Sequence, residues 1–184
     1  MHSACQVFSE LGYDATTFNA IAARAGLSRQ AVNYYFGSKR VLYREVVQST
    51  TAILSAGVDN AFAAPTLIGQ LSAFIEAVTH ASAEDRSTTA LLVTSVLEAQ
   101  RHPELPSDAL AATRAFLTWA VDGAMERGEL AAVTDSSALV EMLVALMWGI
   151  GFYAGFIDSD HQHQLAVMTD QFRRLLSGEL PGRA

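Results

Sequence analysis

The sequence predicts an all-α protein: a small N-terminal head of three helices, then a larger helical bundle, with about nine helices in all. Apolar residues recur at helical spacing along the chain, with no run of alternating strand pattern and no Asn-Gly hairpin. The prolines (Pro65, Pro103, Pro106 and Pro181) all fall between the helical stretches or in the tail. Charge divides the chain in the same way. No acidic residue lies between Asp14 and Glu45, where Arg24, Arg29, Lys39, Arg40 and Arg44 are found. The other seven basic residues follow Glu45, against sixteen acidic ones. A net charge of −7 is therefore spread as a small basic head on an acidic body.

With 184 residues, 51% of them hydrophobic and 17% charged, the chain has enough apolar material for a real core. The lone cysteine, Cys5, excludes an internal disulfide and any CxxC site, and fits a reducing cytosol. The N-terminus lacks the basic-then-apolar pattern of a signal peptide. The longest apolar stretch, Leu143 to Ile157, is shorter than the roughly 20 residues a membrane span needs, and it contains Gly149, Gly151 and Gly155. It is expected as a buried or interfacial helix.

The first helix is expected from His2 to Leu11, with Val7, Phe8 and Leu11 inward and Gly12 as its stop. Thr17 caps the second, whose inner face is Phe18, Ile21, Ala22 and Ala25, and Gly26 turns the chain. Ser28 caps the third, with Ala31, Val32, Tyr35 and Phe36 following before Gly37-Ser38. A fourth helix runs from Lys39 to about Phe62, with Val41, Leu42, Val46, Ile53 and Leu54 apolar, long enough to join head and body. Leu67, Ile68, Leu71, Phe74, Ile75 and Val78 mark one face of the fifth. Further helices are expected over Arg86 to Arg101 and Ser107 to Arg127, the latter stopped by Gly128. Ser136 to about Ile157 is apolar on nearly every face and needs burial all round. A last helix, His161 to Leu176, precedes a frayed tail. The expected division is a head over residues 1–45, with its two-helix motif at about 17–36, and a body over 46–184.

The stretch from Thr16 to Lys39, TTFNAIAARAGLSRQAVNYYFGSK, carries the chemistry. Two short helices joined by a tight turn form a helix-turn-helix, whose second helix enters the major groove with its N-terminal residues toward base edges. Those residues are Ser28, Arg29 and Gln30. Arginine pairs with guanine, and glutamine with adenine. Tyr34 and Tyr35 are suited to donate to phosphate, Lys39 adds charge, and Thr17 offers a cap-side phosphate contact. Phe18, Ile21, Val32 and Phe36 are the core of the little domain. Tyr35 has two open readings, half core or phosphate contact.

The run from Phe8 to Leu42 resembles the DNA-binding domain of the TetR family of repressors. The matching pieces are FSELGYDATT, the IAARAGLS turn, YYF and GSKRVL, which together cover about a fifth of the chain. The resemblance implies a homodimer that releases DNA when a small molecule binds the body. It places base reading on Arg29 and Gln30, and phosphate contacts on Thr17, Asn33, Tyr34, Tyr35 and Lys39. Two departures stand out. Asn33 replaces the usual tyrosine, and a basic arm with a further helical turn is missing before Ala4.

Aromatic side chains at helical spacing in the body are first of all core. Among them Trp119 and Trp148, then Phe74 and Phe152, are the candidates to line an apolar ligand pocket between helices. His161 and His163 are two apart and point to different helix faces, so no metal pair is implied. No nucleophile motif or Gly-rich phosphate loop is present, and no cofactor or enzymatic reaction is implied. Glu141 is expected exposed at its helix start. Dimerisation is expected through the last two helices, with Ala145, Gly149, Gly151 and Ala154 allowing close approach, and with it a palindromic DNA operator. The alternative reading is a small-molecule-binding helical dimer with weakened or lost DNA binding.

Overall fold

The computed structural model describes residues 1–106 and 108–157, together with Val167, Asp170, Gln171 and Arg174; the side chains of Ile53, Leu54 and Ala56 and the surroundings of Gly57 are outside the description. Among the described residues there are eight helices and no strand. They are α1 (His2–Ala15), α2 (Phe18–Ala25), α3 (Arg29–Phe36), α4 (Lys39–Ala63), α5 (Leu67–Glu84), α6 (Arg86–Arg101), α7 (Asp108–Glu126) and α8 (Ser136–Phe156). Val167, Asp170, Gln171 and Arg174 are also helical, while the rest of the expected last helix, with His161 and His163, lies outside the described residues.

Short polar side chains start six of the helices, Thr17 and Ser28 among them as expected. Thr17, Ser28, Ser38, Thr66, Asp85 and Asp135 each accept a hydrogen bond from a backbone N–H in the first turn of α2, α3, α4, α5, α6 and α8. Gly26 ends α2 in the left-handed conformation, and Leu27 N–H closes the turn on the Ala22 carbonyl at 2.9 Å. Gly12 has φ +76°, so it breaks α1 as expected, but helical turns resume as far as Ala15. A second constraint on this position lies outside α1: a Cβ on Gly12 would stand 2.8 Å from Glu98 Oε1 of α6.

Two cores organise the molecule. The head core joins Ala4, Cys5, Val7 and Phe8 of α1 to Ile21, Ala22 and Val32, and to Leu42, Tyr43, Val46 and Val47 of α4. Leu91 and Leu105 complete it from the body side. Phe18 and Phe36 pack against it, as expected. Three expected members are not in it: Leu11 is half-exposed, so is Val41, and Ala25 is part-buried outside the cluster. The phase of α4 decides the second case. Its buried side runs Leu42, Tyr43, Val46, Val47 and Thr50, which turns Val41 outward and brings Tyr43 in.

The body core gathers Leu71 and Ile75 of α5, Leu117, Ala120, Val121 and Ala124 of α7, and Leu143, Met147 and Ile150 of α8. α8 is 21 residues long and apolar, so length and composition alone would allow it to cross a membrane. A count from Leu143 understates it, because the helix begins seven residues earlier, at Ser136. Its packing is what distinguishes it. Val140, Leu143, Val144, Met147, Ile150, Gly151, Ala154 and Gly155 are buried within the bundle. Its other face is apolar yet exposed, so burial is not all round: Met142, Phe152, Tyr153 and Phe156 all stand open. Gly155 lets α6 cross closely, since a Cβ there would meet the Ala90 backbone at 2.8 Å. Gly151 and Ala154, expected at a subunit contact, also face inward, whereas Ala145 and Gly149 are not buried in the bundle.

Candidate nucleic-acid interface and body cavity

In the head, α2 and α3 meet across the Gly26 turn, with Ile21, Ala22 and Val32 buried between them and α1. That packing leaves the other side of α3 to solvent. Ser28, Arg29, Gln30, Asn33, Tyr34 and Tyr35 are all exposed and close together in sequence on one short helix. Tyr34 and Tyr35 are 85% and 74% exposed, which resolves Tyr35 away from the core. Their rings meet edge to face, with centroids 5.6 Å apart. An aromatic pair standing in water has a hydroxyl free to donate and a ring stiffened by its neighbour. Thr17 is exposed as well, and its Oγ1 accepts the Ala20 N–H at 3.2 Å, so the cap still has a hydroxyl proton to give.

The cations of the head divide into free and committed. Arg29 and Arg40 are exposed and have no ion pair or hydrogen-bond partner among the described residues. Arg24 is committed to Glu10, with Nη1 to Oε1 at 2.9 Å and Nη2 to Oε2 at 2.7 Å. That bidentate bond holds the Glu10 carboxyl below its ordinary value. Lys39 is half-buried, donating from Nζ to the Tyr13 carbonyl at 2.7 Å and the Asp14 carbonyl at 3.1 Å. It also sits 4.5 Å from the Tyr13 ring centroid. Lys39 thus ties the end of α1 to the start of α4, a structural role the sequence does not suggest.

Beneath the head, α1 rests on α6. Glu98 of α6 is buried and accepts the Tyr13 N–H through Oε1 at 3.1 Å, while its Oε2 has no partner among the described residues. Burial first, then the Glu98 charge, pushes the Tyr43 hydroxyl well above its ordinary value. His102 Nε2 stands 3.0 Å from Asp14 Oδ1 across the same seam.

The body encloses a cavity of about 590 Å³ between α4, α5, α6, α7 and α8. Phe74, Trp119 and Trp148, three of the four expected pocket residues, line it. Phe152 does not. It follows Gly151, which does line the cavity, and one helical step of about 100° turns it away. Phe152 instead stacks on Phe156 at 5.3 Å on the exposed side of α8. The aromatic wall also contains residues that the sequence does not single out. Phe116 stacks on Phe74 at 5.4 Å, and Phe62 meets Trp119 edge-on at 4.7 Å. Phe62 and Trp119 are about half exposed, which puts them at the opening. Thr51, Ser55 and Thr89 join them, and Asp59 is the one ionisable side chain among the described lining residues. Helical spacing marks Phe62 and Phe116 as apolar, but only the crossing of α4 and α7 makes them neighbours.

Two helices reach both regions. α4 places Leu42 and Tyr43 in the head core and Thr51, Val58 and Phe62 on the cavity wall. α6 places Thr89, Leu92 and Val93 on the wall, and Leu91 and Glu98 against the head.

Comparison with known proteins agrees with this architecture. Residues 1–46 match the family model described as "Bacterial regulatory proteins, tetR family". An HTH-type transcriptional regulator of Bacillus subtilis (strain 168), YezE, itself uncharacterised, is 29% identical over 108 residues. That alignment takes 57% of this chain and 56% of the relative, so the chain covers little more than half the length of the curated relative it matches. In fold, the chain is similar to PfmR, a TetR family transcriptional regulator from Thermus thermophilus, with TM-score 0.75, 20% identity and 98% of both chains covered. It is also similar to FadR from Bacillus subtilis, solved in complex with stearoyl-CoA, with TM-score 0.72, 18% identity, and 97% of this chain and 96% of that one covered. At these identities the likeness to solved chains is one of fold. The exposed α3 face and the capped turn before it lie within residues 1–46, the part of the chain that is similar to the tetR family of bacterial regulatory proteins.

Proposed function

We propose that this chain is a homodimeric, ligand-responsive DNA-binding repressor of the cytosol. The observation that carries the reading is the outer face of α3, where Arg29, Gln30, Asn33, Tyr34 and Tyr35 stand exposed with no acidic residue between Asp14 and Glu45. Arg29 and Gln30 read bases, Tyr34, Tyr35 and Thr17 hold phosphates, and Asn33 touches whichever of the two lies under it. Ser28 sets the helix N-terminus that faces the groove. Lys39 contributes charge to that edge while bracing α1.

The dimer forms through α8 and the helix that follows it. Support comes from the exposed apolar face of α8, where Met142, Phe152, Tyr153 and Phe156 lie beside Ala145 and Gly149. A two-fold pair of heads reads a palindromic operator. A small, largely apolar molecule in the body cavity favours a state in which the two α3 helices no longer match the half-site spacing. α4 and α6 couple the two sites, because each touches both the cavity and the head.

The test is operator binding measured by fluorescence anisotropy at physiological salt. Arg29→Ala is expected to weaken specific binding by about 1–3 kcal/mol and to relax discrimination at one base pair. Tyr34→Phe is expected to weaken binding to all sequences alike. Wild-type affinity in both variants would refute the assignment of the DNA-contacting face.

A further inference from the structure

The cavity has an unequal chemistry. Its wall is aromatic and aliphatic, yet two buried polar atoms of lining residues have no hydrogen-bond partner among the described residues: Trp148 Nε1 and Thr89 Oγ1. Thr89 is 2% exposed, so bulk water does not satisfy it. The two come from α8 and α6, helices that both line the cavity. The Thr89 methyl lies 3.9 Å from the Cβ position of Gly151, the cavity-lining residue one turn beyond Trp148. Buried polar groups are ordinarily paired, and leaving them unpaired carries a penalty that a bound molecule would remove.

An indole N–H only donates, so its complement is an acceptor. A threonine hydroxyl donates equally well to the same atom. The charges on the wall narrow the class further. No Lys, Arg or His is among the described lining residues, and Asp59, exposed, is the one charge. A carboxylate or a phosphate-bearing ester would enter an apolar space without a counter-charge, at a large desolvation cost. An ammonium would suit Asp59 but offers nothing to the indole N–H.

We propose that the effector is an uncharged, mostly apolar molecule bearing a carbonyl or ether oxygen, and that Trp148 Nε1 and Thr89 Oγ1 donate to that oxygen. This rests on the reading of the cavity as the effector site. It separates this chain from a receptor for free fatty acids or for coenzyme A esters.

The experiment uses the full chain and the neutral fluorophore N-phenyl-1-naphthylamine, displaced in turn by methyl dodecanoate, dodecanoate, dodecylammonium and lauroyl-coenzyme A. The chain length is shared, so the head group decides. Methyl dodecanoate is expected to displace the fluorophore at least tenfold more tightly than the three charged competitors. Trp148→Phe and Thr89→Val are each expected to weaken the ester at least fivefold more than they weaken the fluorophore, and a melting temperature close to wild type shows an intact fold. The two tryptophans of the chain both line the cavity, so quenching of their intrinsic emission is a second readout in the wild type. Equal or tighter binding of any charged competitor overturns the proposal, as does unchanged ester affinity in both variants, and in either case the effector-site reading stands. Failure of the fluorophore to bind the wild type overturns that reading and the proposal with it.

Discussion

Tyr34 and Arg24 are both polar residues of the head, yet packing gives them opposite duties. Tyr34 is left in water on α3, whereas the Arg24 guanidinium is closed onto Glu10. The Arg24 hydrogen bond lowers the Glu10 pKa from its ordinary 4.5, so the stabilisation is complete above that value and fades as pH falls through the folded pKa. Both groups are about half exposed, and solvent screening keeps the effect small. Urea midpoints of wild type and Glu10→Gln should therefore differ near neutral pH and converge in acid. Gly12 is a sharper case, because two independent constraints meet there: its φ of +76° and the Glu98 carboxylate 2.8 Å from where a Cβ would be. Gly12→Ala is expected to cost about 1–3 kcal/mol, read as a lower urea midpoint. Gly12→Ala combined with Glu98→Ala should not simply add, since the first substitution strains what the second removes.

At the scale of the element, α6 and α8 show how a helix pair sets a site. Their close crossing depends on Gly155 against Ala90, and the same crossing holds Thr89 beside Gly151. Gly155→Ala would push a methyl into the Ala90 backbone, which cannot rotate out of the way, at a cost of about 1–3 kcal/mol. The distinctive expectation is functional. The same substitution should weaken binding in the cavity more than Leu117→Ala does, even though Leu117 is fully buried and its truncation costs about 2–5 kcal/mol. Thermal melts for stability and fluorophore titration for binding separate the two effects. α4 is instructive for a different reason. Its apolar residues are evident from the sequence, but the face it buries is set by packing, which takes Tyr43 into the head core and leaves Val41 outside.

For the whole molecule, a basic head is carried on an acidic body, and α8 presents an open apolar surface. A charge on that surface tests the assembly without touching either core. Met142→Glu and Phe152→Glu are both at exposed positions, so each should leave the melting temperature of the isolated fold nearly unchanged. Each should shift sedimentation from dimer to monomer. Operator affinity should then fall far more than any loss at a single contact explains, because a monomer engages one half-site. A dimer that persists in both variants would place the interface elsewhere.

Local chemistry is enough to recover the helical class, the Thr17 and Ser28 caps, the helix-turn-helix and the exposure of Arg29, Gln30 and Tyr34. Those features depend on neighbours a few residues away: a threonine or serine before a helix, a glycine after it, apolar spacing within it. Phe74, Trp119 and Trp148 are legible as pocket candidates because large aromatics on helices have few other places to go. What stays hidden depends on contacts far apart in the chain. The tethering of Lys39 to Tyr13, the clasp of Glu98 on α1, the outward turn of Phe152 and the inward turn of Gly151 all follow from where one helix crosses another. By itself the sequence determined which segments are helices and which side of α3 is polar, since those are questions of local spacing and capping. Only the tertiary structure decided which polar atoms are left without partners inside the cavity, because that depends on what five separate helices bring, and fail to bring, to the same 590 Å³.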